Sequence, residues 1–270
     1  MNPDRKLIEK LTPRVLDFLK ARKKESSGYG ATPMLPATVE DTYHALRILS
    51  AIDINDDLDL RQDQALRDYL FRMEKTDWTG ARTKFQVLSS CLLAGVPFDI
   101  HRTVKFIKRR LAETQNTDEY YYCERIAREI PGVANMLDLS EFDGLYNEWI
   151  WRVAYELWII LYHMNMVQGV LKFTPQNDFV SWLQSCQNCD GGFGFLPGST
   201  SYVENCHTCL RALSLLDASP ENPYACQAFV IACRTGNGGF ARIDGATAFL
   251  DSTWHAIASL SLLDTIRIGD

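Results

Sequence analysis

Apolar residues recur every three to four positions along most of the chain, the period of helices that bury one face, and alternating strand-like runs are almost absent. Residues 8–24 form the first such helix, with Pro13 expected in its first turn, where a missing amide proton costs nothing. Gly28-Tyr29-Gly30 ends it, and Pro33 and Pro36 delay the next helix to about 40–51, where Thr42, Ala45, Leu46 and Leu49 share a face. The pattern then predicts helices over 62–73, 83–95, 100–113 and 118–130, the last closed by Pro131-Gly132. Residues 137–148 fit neither period. Further helices are predicted over 149–163, from a cap at Asn177 or Asp178 to Gln187, over 204–216, over 224–234, and up to about Leu262. The chain thus reads as about twelve helices in roughly six pairs, a pattern that stacks as a solenoid or closes into a toroid.

Three stretches repeat one another. A glycine-aromatic-glycine turn, a polar lead, an acidic residue and an apolar helix occur at 28–49, 189–216 and 238–260. The intervals Gly30 to Glu40, Gly194 to Glu204 and Ala241 to Asp251 are each ten residues. The preceding helices repeat too, with Phe18-Leu19, Trp182-Leu183 and Phe229-Val230 in equivalent places. Gly191 and Gly192 permit the tight turn, and Phe193 and Phe195 are expected to fill space between helices. Glu204, at a helix start, suits the positive helix end and exposed amides there.

Composition narrows the function. A content of 46% hydrophobic and 23% charged residues is that of an ordinary globular chain, and its 270 residues can bury a substantial core. The net charge of −6 excludes general nucleic-acid binding, and an anionic ligand would need a local basic pocket. Residues 149–170 are the most apolar, but Arg152 and Glu156 interrupt them, so a buried helix rather than a membrane span is expected. The amino terminus lacks a signal-like apolar stretch, and the eight cysteines are expected as free thiols in a cytoplasmic protein.

The segments FVSWLQSCQNCDGGFGFLPG and SYVENCHTCLRALSLL, with their copies GYGATPMLPATVEDTYHALRIL and GNGGFARIDGATAFLDSTWHAIASLSLL, resemble the prenyltransferase and squalene-oxidase repeat family. That family includes protein prenyltransferase β subunits and triterpene cyclases. The resemblance implies an all-α fold, an α/α toroid (barrel) of roughly six helical hairpins forming one domain over 1–270, with inner helices starting at Glu40, Glu204 and Asp251. It implies a cavity that takes a long isoprenoid or other lipid, with Trp149, Trp151, Tyr155, Trp158, Tyr202, His207 and Trp254 as candidate lining residues. Each serves equally well as core packing.

Glu204-x-Cys206 resembles the Asp-x-Cys zinc pair of protein prenyltransferase β subunits, with Glu in place of Asp. The family adds a histidine from a later inner helix. Here Trp254 holds that position, with His255 one residue on and His207 beside Cys206, so either imidazole is an alternative third ligand. Zinc there would activate a thiol acceptor. Alternatively Cys206 fills the slot held by Thr42 and Thr253, and a four-cysteine site at Cys186, Cys189, Cys206 and Cys209 is a further reading. Arg211 and Arg242 are candidates to neutralise a diphosphate, with magnesium optional.

The resemblance therefore implies an isoprenoid-processing, prenyltransferase-like enzyme, passing a prenyl group from a diphosphate to a thiol. The alternatives are a zinc-independent, terpene cyclase-like enzyme and a noncatalytic toroid that binds a lipid or a protein. The acidic cluster expected of a triterpene cyclase is absent; Asp41 and Asp251 stand alone. A partner subunit or a second copy of the chain is compatible with any of these.

Overall fold

In the computed structural model the described residues are 5–25, 27–52, 60–113, 116–140, 142, 151–166 and 177–267. They are all-α. Eleven α-helices run in order: α1 (Arg5–Lys20), α2 (Val39–Ile52), α3 (Gln64–Lys75), α4 (Ala81–Leu93), α5 (Ile100–Glu113), α6 (Thr117–Glu129), α7 (Ala154–Met166), α8 (Asn177–Ser185), α9 (Val203–Leu215), α10 (Pro223–Ala232) and α11 (Leu250–Arg267). Among these residues extended pairing is confined to isolated bridges inside the turns. The helices divide into two compact units, residues 1–20 with 149–270, and residues 21–148.

Three expected boundaries move. The first helix stops at Lys20 rather than at 24, because Lys23 leaves it to bridge Tyr29. Pro13 lies well inside α1, not in its first turn. The aromatic helix begins at Ala154, four residues before Trp158, and the amide of Arg152 donates to Glu156 at 2.7 Å, so this charge caps the helix entrance.

The repeated turn is built identically in all three copies. Backbone amides of Lys24, Asn188 and Thr235 donate to the carbonyls of Gly28, Gly192 and Gly239 at 2.8–2.9 Å. The amides of Gly30, Gly194 and Ala241 reach back to Arg22, Cys186 and Cys233. The tightest point requires a positive φ, taken by Gly191 (+87°), Gly238 (+93°) and, in the first copy, Ser27 (+83°).

Each turn is pressed by the outer helix of the next pair. A Cβ on Gly192 would meet the Phe229 ring of α10 at 2.9 Å, and one on Gly28 would meet Tyr69 of α3 at 3.0 Å. The last turn uses the beginning of the chain: a Cβ on Gly239 would lie 2.3 Å from Phe18, and one on Gly238 2.1 Å from the Arg14 carbonyl. Helix α1 thereby takes the outer position that follows α10, and the amino-terminal helix belongs structurally to the carboxy-terminal repeat. In the same unit, Ala154 at the head of α7 donates to the Phe195 carbonyl at 2.7 Å, and Val203 at the head of α9 to Arg242 at 3.0 Å. Phe193 is fully buried, whereas Phe195 is exposed and contributes its carbonyl instead of filling space.

Gly239 and Gly198 differ in what an added side chain would meet. Gly239→Ala should destabilise by about 1–3 kcal/mol or more, through overpacking against Phe18. Gly198→Ala, where φ is +78° and a Cβ meets nothing within 4 Å, should cost only the left-handed backbone penalty of about 1–2 kcal/mol. Urea unfolding of the two variants checks this, and equal losses would refute the packing assignment.

Candidate functional site

Helix α9 carries the residues singled out by sequence, and it packs between α7 and α11. Its first turn holds Glu204, Cys206 and His207, but these side chains go to three different partners. The Cys206 thiol is fully buried and accepts the backbone amide of Phe193 at 3.4 Å. The hydroxyls of Thr42 and Thr253 make the same bond, at 3.0 Å, to the amides of Tyr29 and Phe240. Cys206 therefore ties its own turn to its own helix, as its threonine counterparts do. Burial pushes its thiol far above the ordinary thiol range, and Cys226 beside it adds to this.

Glu204 does not cap its helix. Its carboxylate pairs with the guanidinium of Arg242, which also lies 4.2 Å over the Tyr202 ring. His207 turns instead toward α11, where its Nδ1 meets Nδ1 of His255 at 2.8 Å. One of these nitrogens must carry the shared proton and the other must accept it. Trp254 packs edge-on against His207, with ring centres 5.8 Å apart. One turn further along, Arg211 lies 4.0 Å over Trp158 of α7, and Trp158 packs on Tyr162. Along one stripe of α9 there are thus an ion pair, an imidazole pair and a cation–π pair in succession.

The geometry brings together His207, His255, Trp254 and, through α9, Arg211 and Trp158. It sets Tyr202, Glu204 and Arg242 at the end of the stripe. Trp151 packs instead on Phe179 and Trp182 of α8, at 5.1 and 6.5 Å, and Trp149 lies outside the described residues. Among the described residues, no three His, Cys, Asp or Glu side chains are grouped to hold a metal ion. The donors Glu204, Cys206, His207 and His255 do not fit zinc as placed, since the thiolate ligand is committed to a buried amide and the carboxylate to an arginine. Nor do the four cysteines converge: Cys189 is exposed, Cys186 contacts Cys209, and Cys206 contacts Cys226.

One regularity was hidden in the sequence. The fifth residues of α2, α4, α6, α7, α9 and α11 are Tyr43, Phe85, Tyr121, Trp158, His207 and Trp254, an aromatic ring at every one. The ninth residues of α6 and α9 are Arg125 and Arg211, and Arg125 lies 3.9 Å over Phe85 just as Arg211 covers Trp158. Helix α6 carries no glycine turn before it, so only the structure aligns it with the clear copies. In residues 21–148 Phe85 and Tyr121 are each only 1% exposed, so there they fill the core.

A profile of the prenyltransferase α/α toroid domain matches residues 2–224 and 222–270. The chain belongs to that family. No curated protein matches it. No helix of the described residues is long and apolar enough to cross a membrane.

The thiols make three expectations testable. Cys206→Ser keeps an acceptor for the Phe193 amide, whereas Cys206→Ala leaves that amide unsatisfied and should cost about 1–3 kcal/mol more in urea unfolding. Equal stability of the two would show that the bond carries nothing. Cys189 alone among the cysteines is exposed, so a thiol reagent should label one cysteine rapidly in the native protein and the rest only on unfolding. Burial holds Cys91, Cys123 and Cys233 up at about 12, against 9.0 for a free thiol. The unfolded chain ionises first, so these thiols make stability fall as pH rises above about 9.

Proposed function

We propose that this chain is an isoprenoid-processing enzyme whose hydrocarbon substrate lies against the aromatic side chains of α7, α9 and α11, and that its chemistry does not use zinc on Glu204 and Cys206. The observation that carries this reading is the His207–His255 pair, set beside Trp254 and one turn from the Arg211-covered face of Trp158. Family membership makes an isoprenoid the expected substrate class. Aromatic faces attract cations, as Arg211 over Trp158 illustrates, so the ring faces that Arg211 leaves uncovered suit an allylic carbocation. An imidazole with an unprotonated nitrogen can take the proton that such a cation loses, which ends a cyclisation or elimination with the charge transferred to the imidazole pair. Arg242, half-exposed beside Glu204, would receive the diphosphate end.

Transfer to a thiol lacks its donor set here. That step needs a thiolate held by a metal, and its expected donors have other partners. The noncatalytic reading rests on a different observation: Glu204, His207 and Arg211 are each engaged with a neighbour, Arg242, His255 and Trp158, which is also how a purely structural stripe would look.

Farnesyl diphosphate is the probe for both. It should quench tryptophan fluorescence saturably, and Trp158→Ala or Trp254→Ala should each weaken binding about tenfold, a loss of about 1.4 kcal/mol. Absence of saturable binding, or unchanged binding in both variants, would sink the assignment. Release of inorganic diphosphate, lost in His255→Ala with binding retained, supports an enzyme; binding without turnover supports the noncatalytic alternative.

A further inference from the structure

Far along the sequence from the α9 stripe, within residues 21–148, the α3–α4 connection and α5 enclose a pocket of about 230 Å³. Four cationic side chains line it, Lys84, Arg102, Lys105 and Arg109, against the single carboxylate of Asp77. Trp78 and Phe106 supply its apolar walls. In a chain of net charge −6, so local an excess of positive charge is an electrostatic feature in its own right.

The pocket is held open by bonds among its own parts. Arg102 donates to the carbonyls of Glu74, Lys75 and Thr76 at 3.0–3.2 Å, which caps the end of α3 and fixes the guanidinium as a wall. The Trp78 indole donates to the Met73 carbonyl at 2.7 Å, which fixes the ring plane. Lys84 is 3% exposed, an unusual place for an ammonium group. Its nearest carboxylate, Glu74, stands 3.8 Å away and also accepts Lys75 at 3.2 Å, so the buried charge is only partly compensated from within. Burial lowers the Lys84 pKa, and Glu74 works against that. Lys105 and Arg109 stand exposed at the rim, with Arg109 5.8 Å over the Phe106 ring.

We propose that this pocket binds a small organic phosphate, its phosphate group between Lys84, Lys105 and Arg109 and its carbon skeleton between Trp78 and Phe106. A dianion answers the charge excess more fully than a monocarboxylate does. The apolar walls favour a ligand with a flat or hydrocarbon part over the bare ion. The volume is below the roughly 300–1,000 Å³ of drug-sized sites, which fits a compact ligand. The site is independent of the isoprenoid reading, since none of its residues belongs to α7, α9 or α11.

Phenyl phosphate is the probe, titrated calorimetrically into the full chain at low salt. Saturable binding is expected, at least tenfold tighter than that of inorganic phosphate, benzoate or phenol, and weakening as salt rises. The double variant Lys105→Glu, Arg109→Glu changes two exposed residues and should retain the wild-type urea midpoint while losing phenyl phosphate at least tenfold. Trp158→Ala should leave this binding unaltered, which separates the pocket from the α9 stripe. Absence of binding, or binding unchanged in the double variant, overturns the site. Equal affinity for inorganic phosphate overturns the role given to Trp78 and Phe106, and equal affinity for benzoate overturns the preference for a dianion.

Discussion

A buried backbone amide with no acceptor costs about 1–3 kcal/mol, and the repeated turn of this protein buries one in every copy. Because the chain reverses sharply there, the amides of Tyr29, Phe193 and Phe240 point away from any helix or sheet ladder. The acceptor comes from thirteen residues further along, in the first turn of the following helix, as Thr42, Cys206 or Thr253. That one bond fixes where the helix starts relative to the turn, and hence which of its residues face the next helix. Replacing oxygen by sulfur in the middle copy lengthens the bond from 3.0 to 3.4 Å without changing its role.

Once the start of each helix is pinned, the rest of the packing follows in register. Position five is aromatic on α2, α4, α6, α7, α9 and α11, and position nine on α6 and α9 is an arginine that reaches over the preceding ring. The glycines immediately before these three amides, Gly28, Gly192 and Gly239, accept the outer aromatic of the next pair, and α1 supplies that aromatic for the last pair. A chain whose first helix completes its last repeat folds that unit only after both ends have been made. The long-range contact α1–α11 therefore carries a larger loop-closure cost than any neighbouring helix pair.

Most of this was legible in the sequence where the turn kept its glycines. The ten-residue spacing from Gly194 to Glu204 and its copies located three second helices and identified Cys206 with Thr42 and Thr253. Where the glycines are missing, as before Tyr121, the aromatic register left no local mark. The partner of His207 was also hidden. Repeat alignment pairs it with Trp254, and His255 is rotated about 100° from that position. Contact between helices, however, is made by facing stripes and not by equivalent residues, so the rotated residue of α11 meets His207. The basic pocket did have a signal: α5 bears Arg102, Lys105, Lys108, Arg109 and Arg110 within two and a half turns, but they lie spaced on an amphipathic helix and not in one block.

The order of pairs along α9 bears on how a substrate could enter it. Glu204 and Arg242 are partly exposed, and an ion pair in contact with water is worth only about 0–1 kcal/mol. In the proposed function, a diphosphate, carrying more charge than one carboxylate, would displace Glu204 from Arg242 at little cost. The imidazole pair and the Arg211–Trp158 stack lie deeper, where His207 and Trp158 are each 8% exposed. Breaking either there leaves a polar group to be satisfied by the incoming ligand. A hydrocarbon cannot satisfy an imidazole or a guanidinium, but it can lie on the outer faces of the rings while both pairs stay intact. Under the proposed function, a ligand would place its charge at the Arg242 end and its apolar length along Trp254 and Trp158, the polarity of a prenyl diphosphate.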